Sequence, residues 1–155
     1  MATDTTQAIF LHGIEYYRRN RLQEAANSFR AAFKDNPENP LYLSYYGLIV
    51  ALQENCLQDG ITFCRAAIQR APYEADLYLN LSRIFQFARQ RQKALETLVQ
   101  GISSVPDNQN LKKEMKRMGM RRKPFFQGFS RDHLLNRFLG RITYRMKKSP
   151  LRTQH

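Results

Sequence analysis

One spacing occurs three times in the first 106 residues, and it leaves few folds open. A small residue is followed twelve or thirteen positions later by a second small residue, then by two core-type residues four and seven positions on, and five after that by a proline. The first copy is Gly13, Ala25, Phe29, Ala32 and Pro37; the second is Gly47, Gly60, Cys64, Ala67 and Pro72; the third is Ser82, Ala94, Leu98, Gly101 and Pro106. The period is 34 to 35 residues. Self-similarity at that period marks a repeat array, in which each unit buries its apolar face only against its neighbours.

Helices approach closely only where side chains are small, so Gly13 is expected to cross its partner opposite Ala25 and Ala32. Tyr16, Leu22 and Phe29 fill the space beside that crossing, as do Val50 and Cys64 in the second copy and Phe85, Leu95 and Leu98 in the third. The prolines fall where each second helix has to stop, because proline lacks an amide donor and restricts the residue before it. Each unit therefore reads as one helical hairpin. Asn39 followed by Pro40 reads as a helix cap and a first-turn proline. The second copy carries one extra residue between Gly47 and Gly60, expected in the turn near 53–57.

The pattern Ile9, His12, Gly13, Tyr16, Ala25, Phe29, Ala32, Pro37 resembles the tetratricopeptide repeat, whose signature runs aromatic, Leu-Gly, Tyr, Ala, Phe, Ala and Pro. His12 and Tyr46 stand where that signature has leucine, Cys64 where it has phenylalanine, and Ser82 where it has glycine. The resemblance implies an all-α fold: a right-handed superhelical solenoid of three antiparallel helix pairs with a C-terminal capping helix, to which the residues beyond the cap add an amphipathic helix. The expected organisation is a repeat domain over 6–118, with repeats near 6–39, 40–74 and 75–108, and, from the residues that follow, an extended linker over 119–130 and a basic amphipathic helix over 131–148. His12, at a repeat core position, is expected to be packed and hydrogen-bonded.

Charge divides the chain. Residues 1–108 hold eleven bases and eleven acids, whereas 109–155 hold fourteen bases against Glu114 and Asp132, so the entire net charge of +12 lies beyond the repeats. Leu111, Met115 and Met118 form one apolar stripe, with Lys112, Lys113, Lys116 and Arg117 expected on the solvated face of a capping helix. From 119 to 130 the helical period disappears, and Phe125, Phe126 and Phe129 stand in a linker that contains Pro124 and Gly128. Beyond Ser130, an expected cap, the period returns with Leu134, Leu135, Phe138, Leu139, Ile142 and Met146, bordered by Arg137, Arg141, Arg145 and Lys148. Twelve extended residues reach about 40 Å, enough to bring this tail back over three hairpins. The expected contacts of such intramolecular docking are Phe125, Phe126, Phe129, Leu135, Phe138 and Arg141.

Several functions lose support at this level. No glycine-rich phosphate loop is present, the three histidines are far apart in sequence, and no His/Cys cluster has metal-site spacing. A non-enzyme without cofactor or metal is expected. Cys56 and Cys64 lack CxxC spacing and read as reduced, structural thiols. The longest strongly apolar run, Gly47 to Leu52, is too short to cross a bilayer, and residues 1–7 lack the basic and apolar regions of a secretory signal, so a cytoplasmic protein is expected.

The resemblance also implies where a ligand would lie. The first helix of each pair would line a concave face with Phe10, Ile14, Tyr17 and Arg18, then Leu41, Ser44, Tyr45, Leu48 and Leu52, then Leu79, Arg83, Gln86 and Phe87. Such a face, apolar with two arginines, suits a partner protein's peptide or amphipathic helix. The carboxylate clamp by which some family members grip acidic chaperone tails needs bases and asparagines where this chain has Phe10, Ile14, Tyr45, Asp76 and Asn80, so that receptor type is not expected. The function expected is a protein-interaction scaffold or adaptor. The alternative is nucleic-acid or anionic-membrane binding through the basic tail.

Overall fold

The computed structural model describes residues 2–119, which form seven helices and no strand. The helices are α1 (Ala2–Arg18), α2 (Leu22–Asp35), α3 (Pro40–Gln53), α4 (Leu57–Arg70), α5 (Ala75–Phe87), α6 (Arg91–Ser104) and α7 (Gln109–Arg117). α1 pairs with α2, α3 with α4 and α5 with α6, while α7 packs on α5 and α6. This is an all-α solenoid of three hairpins and a cap. The linker 119–130 lies outside the described residues beyond Gly119, as do the helix expected over 131–148 and the cap expected at Ser130.

Local chemistry accounts for the punctuation. Asn36, Ala71 and Val105 each precede a repeat proline, and each leaves helical geometry while its N–H still reaches back to Ala32, Ala67 and Gly101 respectively. The Asn39 side chain accepts from the Leu41 N–H at 2.9 Å, with Pro40 opening α3. Asn108 caps α7 in the same way, accepting from Asn110 and Leu111 at 3.0 Å.

Every hairpin turn passes through one left-handed residue: Asn20, Asn55 and Arg89, with φ of 58°, 56° and 57°. Asparagine tolerates that region and arginine rarely visits it, so the third turn is not announced by its residue type. In the first and third turns the chain closes with a bond to the carbonyl five residues back, Arg21 to Tyr16 and Gln90 to Phe85, each 2.8 Å. In the second, Cys56 reaches six back to Val50 at 3.3 Å, which is where the extra residue is absorbed.

The crossings are tight. A methyl group added at Gly60 would lie 2.5 Å from the Gly47 carbonyl oxygen, and one at Gly47 would lie 2.9 Å from that of Gly60, so α3 and α4 meet backbone to backbone. At Gly13 the nearest groups are Phe29 and Ser28 rather than Ala25 and Ala32; the two alanines are fully buried beside them. Ser82 joins the third hairpin differently, its hydroxyl donating to the Ala94 carbonyl at 3.2 Å.

Phe29, Val50, Cys64, Phe85, Leu95 and Leu98 are buried as the spacing predicts, while Tyr16 and Leu22 are only half-buried. Phe10 packs with Phe29, Tyr42 and Tyr45 in one ring cluster, and Phe33 stacks on Tyr46 with centroids 4.4 Å apart. That stack corrects the expectation for His12, which is exposed. Tyr46, at the equivalent position, rests on the helix of the preceding hairpin; no described helix precedes α1, so His12 has nothing to rest on. Leu111, Met115 and Met118 close the other end.

Candidate functional site

α1, α3, α5 and α7 together wall an open hollow of about 710 Å³. Of the residues expected on the concave face, Ile14, Tyr17, Arg18, Tyr45, Leu52, Leu79 and Arg83 line it. Phe10, Ser44 and Leu48 are buried instead: Phe10 packs into the ring cluster with Phe29, Tyr42 and Tyr45, and α3 lies between hairpins and spends Ser44 and Leu48 on packing. Leu41 is half-buried away from the hollow, Gln86 bonds to α7, and Phe87 is 48% exposed at the end of α5 without lining it. Phe125, Phe126, Phe129, Leu135, Phe138 and Arg141 lie outside the described residues.

The lining is more polar than the sequence reading expects. Asn20 from the first turn, Leu22 from the start of α2, Asp76 from α5, and Asn110, Lys113, Glu114 and Arg117 from α7 complete it. Lys113 and Arg117 are therefore walls of the hollow as well as solvated charges. A signal for this existed: Asn110, Lys113, Glu114 and Arg117 recur at i, i+3, i+4 and i+7, a polar stripe with the same period as the apolar one.

The two acids in the hollow are engaged. Glu114 accepts from Arg117 at 2.6 Å and from the Gln86 amide at 2.9 Å, and Arg117 also donates to Gln86 at 2.8 Å. The hydrogen bonds from Arg117 hold the Glu114 carboxyl below the usual glutamate range against the opposing effect of partial burial. Asp76 accepts from the Tyr45 hydroxyl at 3.3 Å. Burial, reinforced by Asp76, pushes the Tyr45 phenol well up; burial also raises Tyr17, partly offset by Arg83.

The cations are less occupied. The Arg83 guanidinium stands 5.6 Å from the centre of the Tyr17 ring and donates to Asn80, a neutral partner. Among the described residues, Arg18, Arg83 and Lys113 form no ion pair. Four bases and two acids face one concavity, and the acids are already satisfied. Such a surface supplies donors and positive potential beside Ile14, Leu52 and Leu79. No group of three metal-ligating side chains occurs among the described residues. No described helix is long and apolar enough to cross a membrane.

Residues 10–75 match the family described as tetratricopeptide repeat. The comparison with curated proteins returns no match. Among solved structures, an Arabidopsis OM64 TPR domain aligns at 19% identity and a TM-score of 0.56 over 75% of this chain and 95% of that one. The TPR2B domain of yeast Sti1, in a pHsp70 complex, aligns at 20% identity and 0.57 over 73% of this chain and 91% of that one. The first TPR of Spaghetti (RPAP3), bound to the HSP90 peptide SRMEEVD, aligns at 12% identity and 0.56 over 73% and 91%. At these identities the likeness concerns the fold. With its thrice-repeated spacing, three hairpins and terminal cap, the chain has the fold of a tetratricopeptide-repeat array, and residues 10–75 match the family itself.

Proposed function

We propose that this protein is a non-catalytic interaction scaffold that holds an acidic, partly apolar segment of a partner protein in the hollow between α1, α3, α5 and α7. One observation carries the reading: Arg18, Arg83 and Lys113 face the hollow without forming an ion pair among the described residues, beside Ile14, Leu52 and Leu79. Complementary charge steers such a segment in and fixes its register, while the apolar side chains contribute burial. Two structural neighbours are complexes, one with pHsp70 and one with an HSP90 peptide, which supports a peptide as the class of ligand. The grip would differ from the carboxylate clamp, because the bases here stand at other positions and two of the four lining bases come from α7.

The same charges weigh against the chain's own tail as occupant. Residues 120–155 carry ten bases and one acid, so a basic tail would enter a basic hollow. A titration calorimetry series with a synthetic peptide of alternating glutamate and leucine tests the reading. The expected result is binding that weakens about 25-fold in the Arg83→Ala, Lys113→Ala double variant, at roughly fivefold for each partly exposed charge. Equal affinity for the parent and the double variant overturns it.

A second reading draws on that tail. Ten bases interleaved with Phe125, Phe126, Phe129 and Tyr144 suit phosphate neutralisation and base stacking. It requires nucleic-acid binding that falls steeply with salt and disappears when 120–155 are deleted.

A further inference from the structure

We infer that Asn80 is a positioning residue: it holds the Arg83 guanidinium over Tyr17 at the wall of the hollow and so sets where a partner's carboxylate binds. The inference rests on the reading that the hollow takes an acidic segment. Arg83 is half-buried on α5, and Asn80 stands one turn before it. Its Nη1 donates to Asn80 Oδ1 at 3.0 Å, and it forms no ion pair among the described residues, Glu114 acting on it only through space.

Asn80 itself is fully buried and cannot reorient freely. Arginine only donates, so the oxygen of the amide faces Arg83 and the nitrogen faces away. Nδ2 then donates to Ser44 Oγ at 3.2 Å. With its oxygen accepting from Asn80, Ser44 turns its own proton toward Cys64 Sγ at 3.7 Å, and the Cys64 thiol donates to the Ser44 carbonyl at 3.4 Å. Ser44 and Cys64 are also fully buried. One chain of hydrogen bonds thus runs from Cys64 on α4 through Ser44 on α3 to Asn80 on α5, all polarised the same way, and ends on the arginine. A flipped amide would point N–H groups at the guanidinium and lose the bonds at both ends. The core thereby presents a fixed oxygen that sets the arginine's position.

The test uses the full chain. Asn80→Leu keeps the volume and leaves the Ser44 hydroxyl its Cys64 partner; Asn80→Ser, shorter and still polar, is a second variant should the first not fold. In ¹⁵N NMR of the free protein, both variants are expected to sharpen the Arg83 Nε–H resonance and lose its cross-peaks to the Tyr17 ring. Val99→Ala, a core truncation on α6, is expected to lower the melting temperature and leave those signals alone. Unchanged Arg83 signals in the Asn80 variants overturn the inference whether or not any peptide binds.

The alternating glutamate–leucine peptide then gives a double-mutant cycle. Asn80→Leu should weaken binding about fivefold in the parent, the scale of one partly exposed charge. It should cost nothing further in an Arg83→Ala background, whereas a merely structural role costs the same in both. Additive losses overturn the positioning role. If the parent binds no such peptide, the proposed ligand class is wrong, and the NMR comparison alone then decides whether Asn80 positions Arg83.

Discussion

Replacing Gly60 by alanine tests the physical reading of the repeat spacing. The new methyl would meet the Gly47 carbonyl oxygen at 2.5 Å and the Ala51 Cβ at 2.7 Å, where ordinary contact begins at 3.4 Å. Neither neighbour is the flexible end of a side chain. α3 and α4 would have to part by most of an ångström along a seam that buries Ile49, Val50, Ile61 and Cys64. Overpacking of a tight core costs about 1–3 kcal/mol, and a backbone-to-backbone seam belongs at or above the top of that range. The favourable helix propensity of alanine over glycine offsets about 1 kcal/mol. A net loss of about 2 kcal/mol follows, equivalent to a fall in melting temperature of roughly 5–15 °C for an array of this size. Gly13→Ala is the comparison. There the closest atoms are two ring carbons of Phe29, at 2.7 Å and 2.9 Å, and the Ser28 Cβ at 2.9 Å, all of them side-chain atoms rather than a carbonyl of the facing helix. Thermal melts by circular dichroism should rank Gly60→Ala well below Gly13→Ala. Equal melting temperatures, or stabilisation by Gly60→Ala, would refute close backbone approach as the reason for glycine there.

Three further predictions concern α7 and the thiols. Because Arg117 depresses the Glu114 carboxyl in the folded state, the contribution of that carboxyl to stability is present above the ordinary glutamate value of about 4.3 and is lost as pH falls below it. Amide exchange in α7, compared with α1 as an internal reference, should accelerate below that pH in the parent and lose this dependence in Glu114→Gln. Asn108→Ala removes the α7 cap at a cost of about 1 kcal/mol, so the amides of 109–117 should exchange about fivefold faster while α1 to α4 stay unchanged. Burial pushes the Cys64 thiol up to about 12, whereas Cys56 is exposed. A thiol reagent at pH 8 should therefore label one cysteine rapidly and the other only at the rate of unfolding; rapid labelling of both would contradict the packing around Cys64.

The repeats were legible in the sequence because they rest on local rules. Helical hairpins, proline stops, the Asn39 cap and the apolar stripe of α7 all follow from spacing and residue type within one unit. The hollow was legible only in part. Ile14, Tyr17, Arg18, Tyr45, Leu52, Leu79 and Arg83 follow from the face of the first helices, but the wall from α7 depends on how the cap docks, and a family signature ends before it. Ser44 and Leu48 show the opposite case. Their positions read as concave, yet α3 is enclosed by its neighbours, and burial there depends on distant residues, Cys64 and Asn80 in the case of Ser44. His12 reads as core in any unit except the first, where the preceding hairpin that would cover it is missing from the described array.

The central claim is that the hollow between α1, α3, α5 and α7 receives an acidic partner segment. ¹⁵N chemical-shift mapping during titration with the alternating glutamate–leucine peptide tests it most directly. The account predicts that saturable shifts gather at Tyr17, Arg18, Tyr45, Arg83, Asn110 and Lys113 and weaken as salt is raised. Saturable shifts confined to the separate surface on α4 and α6 formed by Arg65, Lys93 and Gln100, or no shifts at all, would contradict it.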